Sequence, residues 1–228
     1  VGPVNNFLHS LFSQVDVTLN GTLITSSTNT YPYRAYIEDM LSHGADGKES
    51  QMTAALFYKD TPGRMAVANS RAAVADRNHG LTKRAEFTNE SRVVDMTGRL
   101  HCDIFFQERY MLNEVNTKIR LIRSRDNFCL MSTGQFKVKI MAASLLVRKV
   151  KVSPSVFLAH AKTLEKSLAK YPVRRVVCKT FTIPNGHLDA TNEKLFTGQL
   201  PRRIVIGTVD NEAFNGGFGH NPFNFKHF

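Results

Sequence analysis

Eight histidines, three cysteines and nineteen carboxylates are the side chains of this sequence best suited to chemistry, and their linear spacing assembles no known centre. His101 and Cys102 are adjacent, which on a strand would send them to opposite faces. His160 lies on a helical stretch with no histidine four residues on, so there is no His-Glu-x-x-His zinc site. Cys102, Cys129 and Cys178 form no Cys-x-x-Cys pair, and their odd number argues against a disulfide framework. They read instead as reduced thiols used as small hydrophobes. Gly44-Ala45-Asp46-Gly47-Lys48 lacks the spacing that cradles phosphate. Gly216-Gly217-Phe218-Gly219 follows no strand–helix–strand pattern, and predicts a turn beside packed aromatics rather than a dinucleotide site. There is no Gly-x-Ser-x-Gly elbow, and Glu38-Asp39 reads as ordinary helix-surface charge. On this reading the sequence assigns no catalytic, cofactor-binding or metal-ligating residue and no enzymatic activity.

The elements that would carry any site are better defined. Residues 7–12 suggest a short helical turn. Val15, Val17 and Leu19 alternate with Asp16 and Thr18 as a strand, and Asn20-Gly21 predicts a hairpin turn. Pro32 opens a helix with Tyr33, Tyr36, Ile37, Met40 and Leu41 at helical spacing and Gly44 as its stop. Residues 49–58 predict a second short helix. Residues 61–89 lose periodicity and predict a long excursion with one short helix, of the kind that contacts neighbouring subunits. Strands are then expected at 92–96, 100–106, 118–123, 128–131, 136–140 and 145–152. Ser153 and Pro154 suit the start of a helix over 153–170, with Phe157, Ala161, Leu164 and Leu168 on one face. Tyr171-Pro172 ends it. Further strands are expected at 174–183 and 203–209. Many short strands, long loops and few helices predict an all-β fold of antiparallel sandwiches.

Composition supports a globular protein, with 42% hydrophobic residues and no run long enough to cross a membrane as a helix. The start, Val1-Gly2-Pro3, is no signal peptide, and the chain reads as an internal piece of a longer protein. The sequons at Asn20 and Asn89 matter only in a secreted protein. The net charge of +11 is uneven, since residues 1–60 carry −3 and the remainder +14. Such an excess suits either a polyanionic partner or the solvated faces of strands. The 16 Phe and 6 Tyr, with no Trp, suit a packed β core. Phe218, Phe223, Phe225 and Phe228 near lysines are the alternative, base-stacking set.

Four segments together carry a resemblance. They are VGPVNNFLHSLFSQVDVTLNGTLITSSTNTYPYRAYIEDML (1–41), ESRVVDMTGRLHCDIFFQERYML (90–112), SLLVRKVKVSPSVFLAHAKTLEKSLAKYPVRRVVCKTFTIPNG (144–186) and LFTGQLPRRIVIGTVDNEAFNGGFGHNPFNFKHF (195–228). In this order they resemble the major capsid protein of Polinton/Maverick elements and adintovirus-like viruses, including copies endogenised in animal genomes. The resemblance implies a double jelly-roll, present here as a fragment. Residues 1–152 would be the first jelly roll without its opening strands, 153–170 a connecting helix, and 171–228 the beginning of the second. It implies a hexon-type capsid subunit that trimerises into pseudo-hexagonal capsomers and tiles an icosahedral shell. The implied partners are two further copies, neighbouring capsomers, a penton or minor capsid protein and, weakly and nonspecifically, packaged DNA. No cofactor or small-molecule substrate is implied, and the location is the virion, preceded by the host cell interior. A single jelly-roll penton protein and a basic, β-rich nucleic-acid-binding protein are the alternative readings.

Overall fold

The computed structural model describes residues 1–132, 134–187, 189–192 and 195–226. Its first strand, β1 (Gly2–Pro3), leads through Asn6, held in the left-handed region at φ 53°, into a one-turn helix, α1 (Phe7–Ser10). The longest strand follows as β2 (Phe12–Leu19) and turns at Asn20-Gly21 into β3 (Thr22–Leu23). Both turn residues have positive φ, 47° and 85°, which is the backbone of a tight antiparallel hairpin and the reason an Asn-Gly pair stands there. Helix α2 (Tyr31–Ser42) carries Pro32 in its first turn, where a missing N–H leaves no hydrogen bond unmade. Then come α3 (Ala45–Glu49), a 3-10 turn at Gln51–Ala55, and α4 (His79–Phe87). Two more 3-10 turns, Asn89–Ser91 and Asp103–Phe106, precede β4 (Thr117–Arg123). The remaining elements are α5 (Asp126–Cys129), β5 (Leu130–Met131), α6 (Pro154–Leu164) and α7 (Asn211–Phe214).

Two small antiparallel sheets result, β3-β2-β4 and β1-β5. In the larger, Val15 faces Leu121 and Val17 faces Ile119, with an irregularity between Phe12 and Gln14. The main core gathers Val4 and Phe7, Tyr33 and Tyr36 of α2, Leu56 and Phe57, Leu81 of α4, Cys129, Met131 and Phe223. Tyr36 and Phe223 are stacked, with ring centroids 4.3 Å apart and planes 7° from parallel. A second cluster, Val15, Val17, Tyr31, Cys102 and Ile104, lies against the larger sheet.

The excursion over 61–89 is pinned by a buried ion pair. Arg84 and Asp60 are both fully buried and meet at 2.6 Å. Arg84 also donates to the carbonyls of Pro3 and Tyr58. Asp60 accepts from the side-chain amides of Asn78 and Asn221. Asn78 in turn caps α4, accepting from the Leu81 N–H. Every charge in this knot is therefore hydrogen-bonded, which buried charge requires.

The all-β expectation is overturned. The chain is about 27% helical and 10% strand, with sheets of only three and two strands, and it is neither mainly β nor a double jelly-roll. The strands expected at 136–140, 145–152 and 174–183 belong to no ladder among the described residues, and 203–209 contributes one isolated bridge, Thr208 to Lys226. Residues 92–96 are loop, and 100–106 end in a 3-10 turn. The physical reason is that alternation specifies which face a residue takes but not which strand supplies its hydrogen bonds. Without that partner most apolar residues of 136–206 remain exposed, among them Leu146, Leu168 and Leu200 at 89, 86 and 89%. The helix expected over 153–170 stops at Leu164, and Ser153 at its start makes no capping hydrogen bond to the backbone.

Charge divides along the same line. Residues 134–207 hold fourteen Lys or Arg against three Asp or Glu, so this stretch carries the whole +11, and the rest of the chain is neutral. Of the aromatics in doubt, Phe223 is core, Phe225 packs partly buried against it, and Phe218 is exposed. Phe228 lies outside the described residues. Cys102 and Cys129 are buried free thiols whose pKa values burial raises to about 11 and about 12, in keeping with use as small hydrophobes.

Candidate functional site

Three elements bring ionisable side chains together beneath the surface. Helix α1 contributes His9, α2 contributes Tyr31, Arg34, Glu38 and Asp39, and the loop before the 3-10 turn at Asp103–Phe106 contributes His101. Positions 31, 34 and 38 share one helical face, and 39 lies beside them, so a single helix supplies most of the site. One nitrogen or oxygen from each of His9, Asp39 and His101 lies within 4.8 Å of the others, and all three residues are buried. The imidazoles of His9 and His101 meet edge to face with centroids 4.7 Å apart.

Each of the three has a fixed partner on its far side. His101 Nδ1 sits 2.7 Å from Glu38 Oε2, while its Nε2 faces Asp39 Oδ1 at 3.4 Å. His9 Nδ1 is 3.0 Å from the Tyr31 hydroxyl. Asp39 Oδ2 accepts from the Asn6 side-chain amide at 2.7 Å. Around them, Arg34 pairs with Glu38 at 3.0 Å and with Asp103, and His43 lies 3.8 Å from Asp39. The extended segment of 176–178 is fastened to this edge: the Val176 N–H donates to Asp103, and the Thr30 hydroxyl donates to the Cys178 carbonyl.

The electrostatics follow from burial set against neighbouring charge. Burial, with the charge of His101, drives His9 down to about 4, so it is neutral at pH 7. For His101 burial works in the same direction, but hydrogen bonds and charge from Asp39 and Glu38 outweigh it and raise its pKa above the ordinary value. Burial would lift both carboxyls, yet His101, with Arg34 for Glu38 and with His9 and Asn6 for Asp39, holds them below theirs. A cavity of about 40 Å³, lined by Tyr31, Arg34, His101, Cys102 and Cys178 among others, adjoins the site. That is room for water and far short of the several hundred Å³ of a small-molecule site.

The sequence reading named none of these residues as a site. Glu38-Asp39, expected on a helix surface, is turned toward buried histidines, and His101 is part of the cluster while Cys102 belongs to the apolar core. The separations from 9 to 39 and from 39 to 101 match no motif, so only the fold could bring the three together. The one local hint was two carboxylates on a helix whose other face is rich in tyrosine.

No known protein-family profile matches the chain, and no solved structure matches it. An uncharacterized protein of Caenorhabditis elegans is 29% identical over 229 residues, a match that spans 98% of this chain and 51% of that protein. The chain therefore spans about half the length of the curated relative it matches.

Proposed function

We propose that this chain is part of a structural subunit that self-assembles into a shell, of the viral capsid kind its sequence resembles. The observation that carries the reading is the stretch 134–207. It combines many exposed apolar side chains with the whole net charge of the chain, beside a neutral, well-packed core. A soluble monomer rarely leaves so many large apolar side chains in water, and burial between repeated copies is the ordinary remedy. Strand-forming residues without a ladder are also suited to pairing with a neighbouring chain. The partners are then further copies, with a trimer as the first assembly step, adjoining capsomers and a penton-type or minor capsid protein. The location is the virion, after passage through the host cell interior.

The basic stretch also favours a second reading, a nucleic-acid-binding protein. Light scattering after size exclusion, applied to the full-length protein, separates the two. A stable trimer that assembles further is the expected result. A monomer that changes mass only on adding DNA, with affinity falling steeply in salt, would replace the capsid reading with the nucleic-acid one.

A further inference from the structure

We propose that His9, Asp39 and His101 form a binding site for one zinc ion that staples α1, α2 and the loop at 101 together. Zinc bonds imidazole nitrogen and carboxylate oxygen at about 2.0–2.2 Å, which places neighbouring ligand atoms of a tetrahedral centre about 3.4 Å apart. His101 Nε2 and Asp39 Oδ1 stand 3.4 Å apart, and the third ligand atom falls within the same 4.8 Å cluster.

The surroundings are those of ligands held ready. Metal-bound histidines nearly always donate their second ring N–H to an oxygen partner. Here Glu38 takes that place for His101 and the Tyr31 hydroxyl takes it for His9, which leaves the Nε2 atoms to face the ion, that of His101 already turned toward Asp39. Asn6 fixes the second oxygen of Asp39 in the same way. Position 98 is glycine, and a Cβ there would lie 2.7 Å from Leu8 Cδ2 and 3.1 Å from His9 Nε2, so a side chain would press on both.

Charge agrees. Asp39 and Glu38 together offset the two positive charges of the ion. Zinc takes each imidazole through an unprotonated nitrogen, so binding competes with protons. Two imidazoles select zinc over magnesium or calcium, which take oxygen ligands. The burial of all three ligands, with only a water-sized space beside His101, assigns the ion a structural role.

The test uses the full chain, stripped with chelator and titrated with zinc by calorimetry in buffers of different ionisation enthalpy. One-to-one binding is expected, and cobalt in place of zinc should give the visible bands of a four-coordinate nitrogen–oxygen site. His9→Gln should abolish binding, and Glu38→Gln should weaken it about 10–100-fold with the cobalt spectrum retained. Should either variant fail to fold, nitrogen NMR of the wild-type chain decides: two of the eight histidines, His9 and His101, should shift on adding zinc. Absence of saturable one-to-one uptake overturns the proposal and leaves an ion-pair network only. So does uptake that His9→Gln leaves unchanged, or a shift confined to other histidines.

Discussion

Arg84 and Asp60, twenty-four residues apart, form a salt bridge with both side chains wholly removed from water. Taken alone, two charges in such a place cost more in lost hydration than their attraction returns. What makes the pair tenable is that Pro3, Tyr58, Asn78 and Asn221 take up the remaining hydrogen bonds. The pair thus joins the start of the chain, the excursion over 61–89 and the last described residues.

Removing one partner strands the other. Arg84→Ala leaves the Asp60 carboxylate buried and unpaired, and a loss of about 3–5 kcal/mol is expected. Urea unfolding followed by circular dichroism measures it, and a loss under 1 kcal/mol would mean that water reaches Asp60.

Gly80 sits against the backbone of the same knot. A Cβ there would stand 2.5 Å from the Lys59 carbonyl oxygen, so Gly80→Ala must push backbone apart. We expect it to cost roughly 1–3 kcal/mol, as overpacking of a tight interior does. Gly21→Ala meets no atom within 4 Å but has φ +85°, so its cost is torsional, about 1 kcal/mol. Thermal melts of the two variants should rank them in that order.

The histidine cluster predicts a stability optimum near pH 6.5 for the metal-free chain. The folded-state pKa of His9, about 4, lies below its ordinary 6.5, so between these values the unfolded chain holds more protons and stability falls with falling pH. His101 is shifted the other way: its contribution is full below 6.5 and is lost as pH rises through its folded-state value. Glu38 and Asp39 add a loss only at lower pH, as it falls through their depressed values. Melting midpoints from pH 4 to 9 should trace this dome, and His9→Gln should flatten its acid side. Midpoints that climb steadily to pH 9 would contradict it.

Leu146 and Leu168 are almost fully exposed on the basic stretch. Changing both to Asp should leave the melting temperature of the monomer within the range of ordinary surface substitutions, about 0.5 kcal/mol each. The same change should weaken self-association severalfold in sedimentation. Destabilised monomers with intact association would reverse the roles assigned to core and stretch.

Much of the N-terminal half was legible in the sequence. The Asn20-Gly21 hairpin, the helix around Tyr33 and Tyr36, and the strand at 117–123 all rest on local signals: a turn dipeptide, a proline at a helix start, an alternation with a nearby partner. The excursion with one short helix was also legible, and α4 is that helix. Beyond residue 131 the same alternation misled, because Lys137, Lys139 and their apolar neighbours define two faces and no partner. The fold class built on those segments was therefore wrong. The site was hidden for a different cause. His9, Asp39 and His101 are scattered along the chain, and the acidic pair on α2 looked solvent-facing because its burial depends on α1 and on the loop at 101.

The stack of Tyr36 on Phe223 sets a schedule for the ribosome. About 190 residues separate the two rings, so at 5–20 residues per second Tyr36 waits roughly 10–40 s for its stacking partner. In the later part of that interval the apolar, basic stretch emerges ahead of Phe223, with neither a finished core beside it nor a neighbouring copy to cover it. The nascent chain is thus most prone to aggregation just before Phe223 arrives, and chaperone dependence should concentrate in that window.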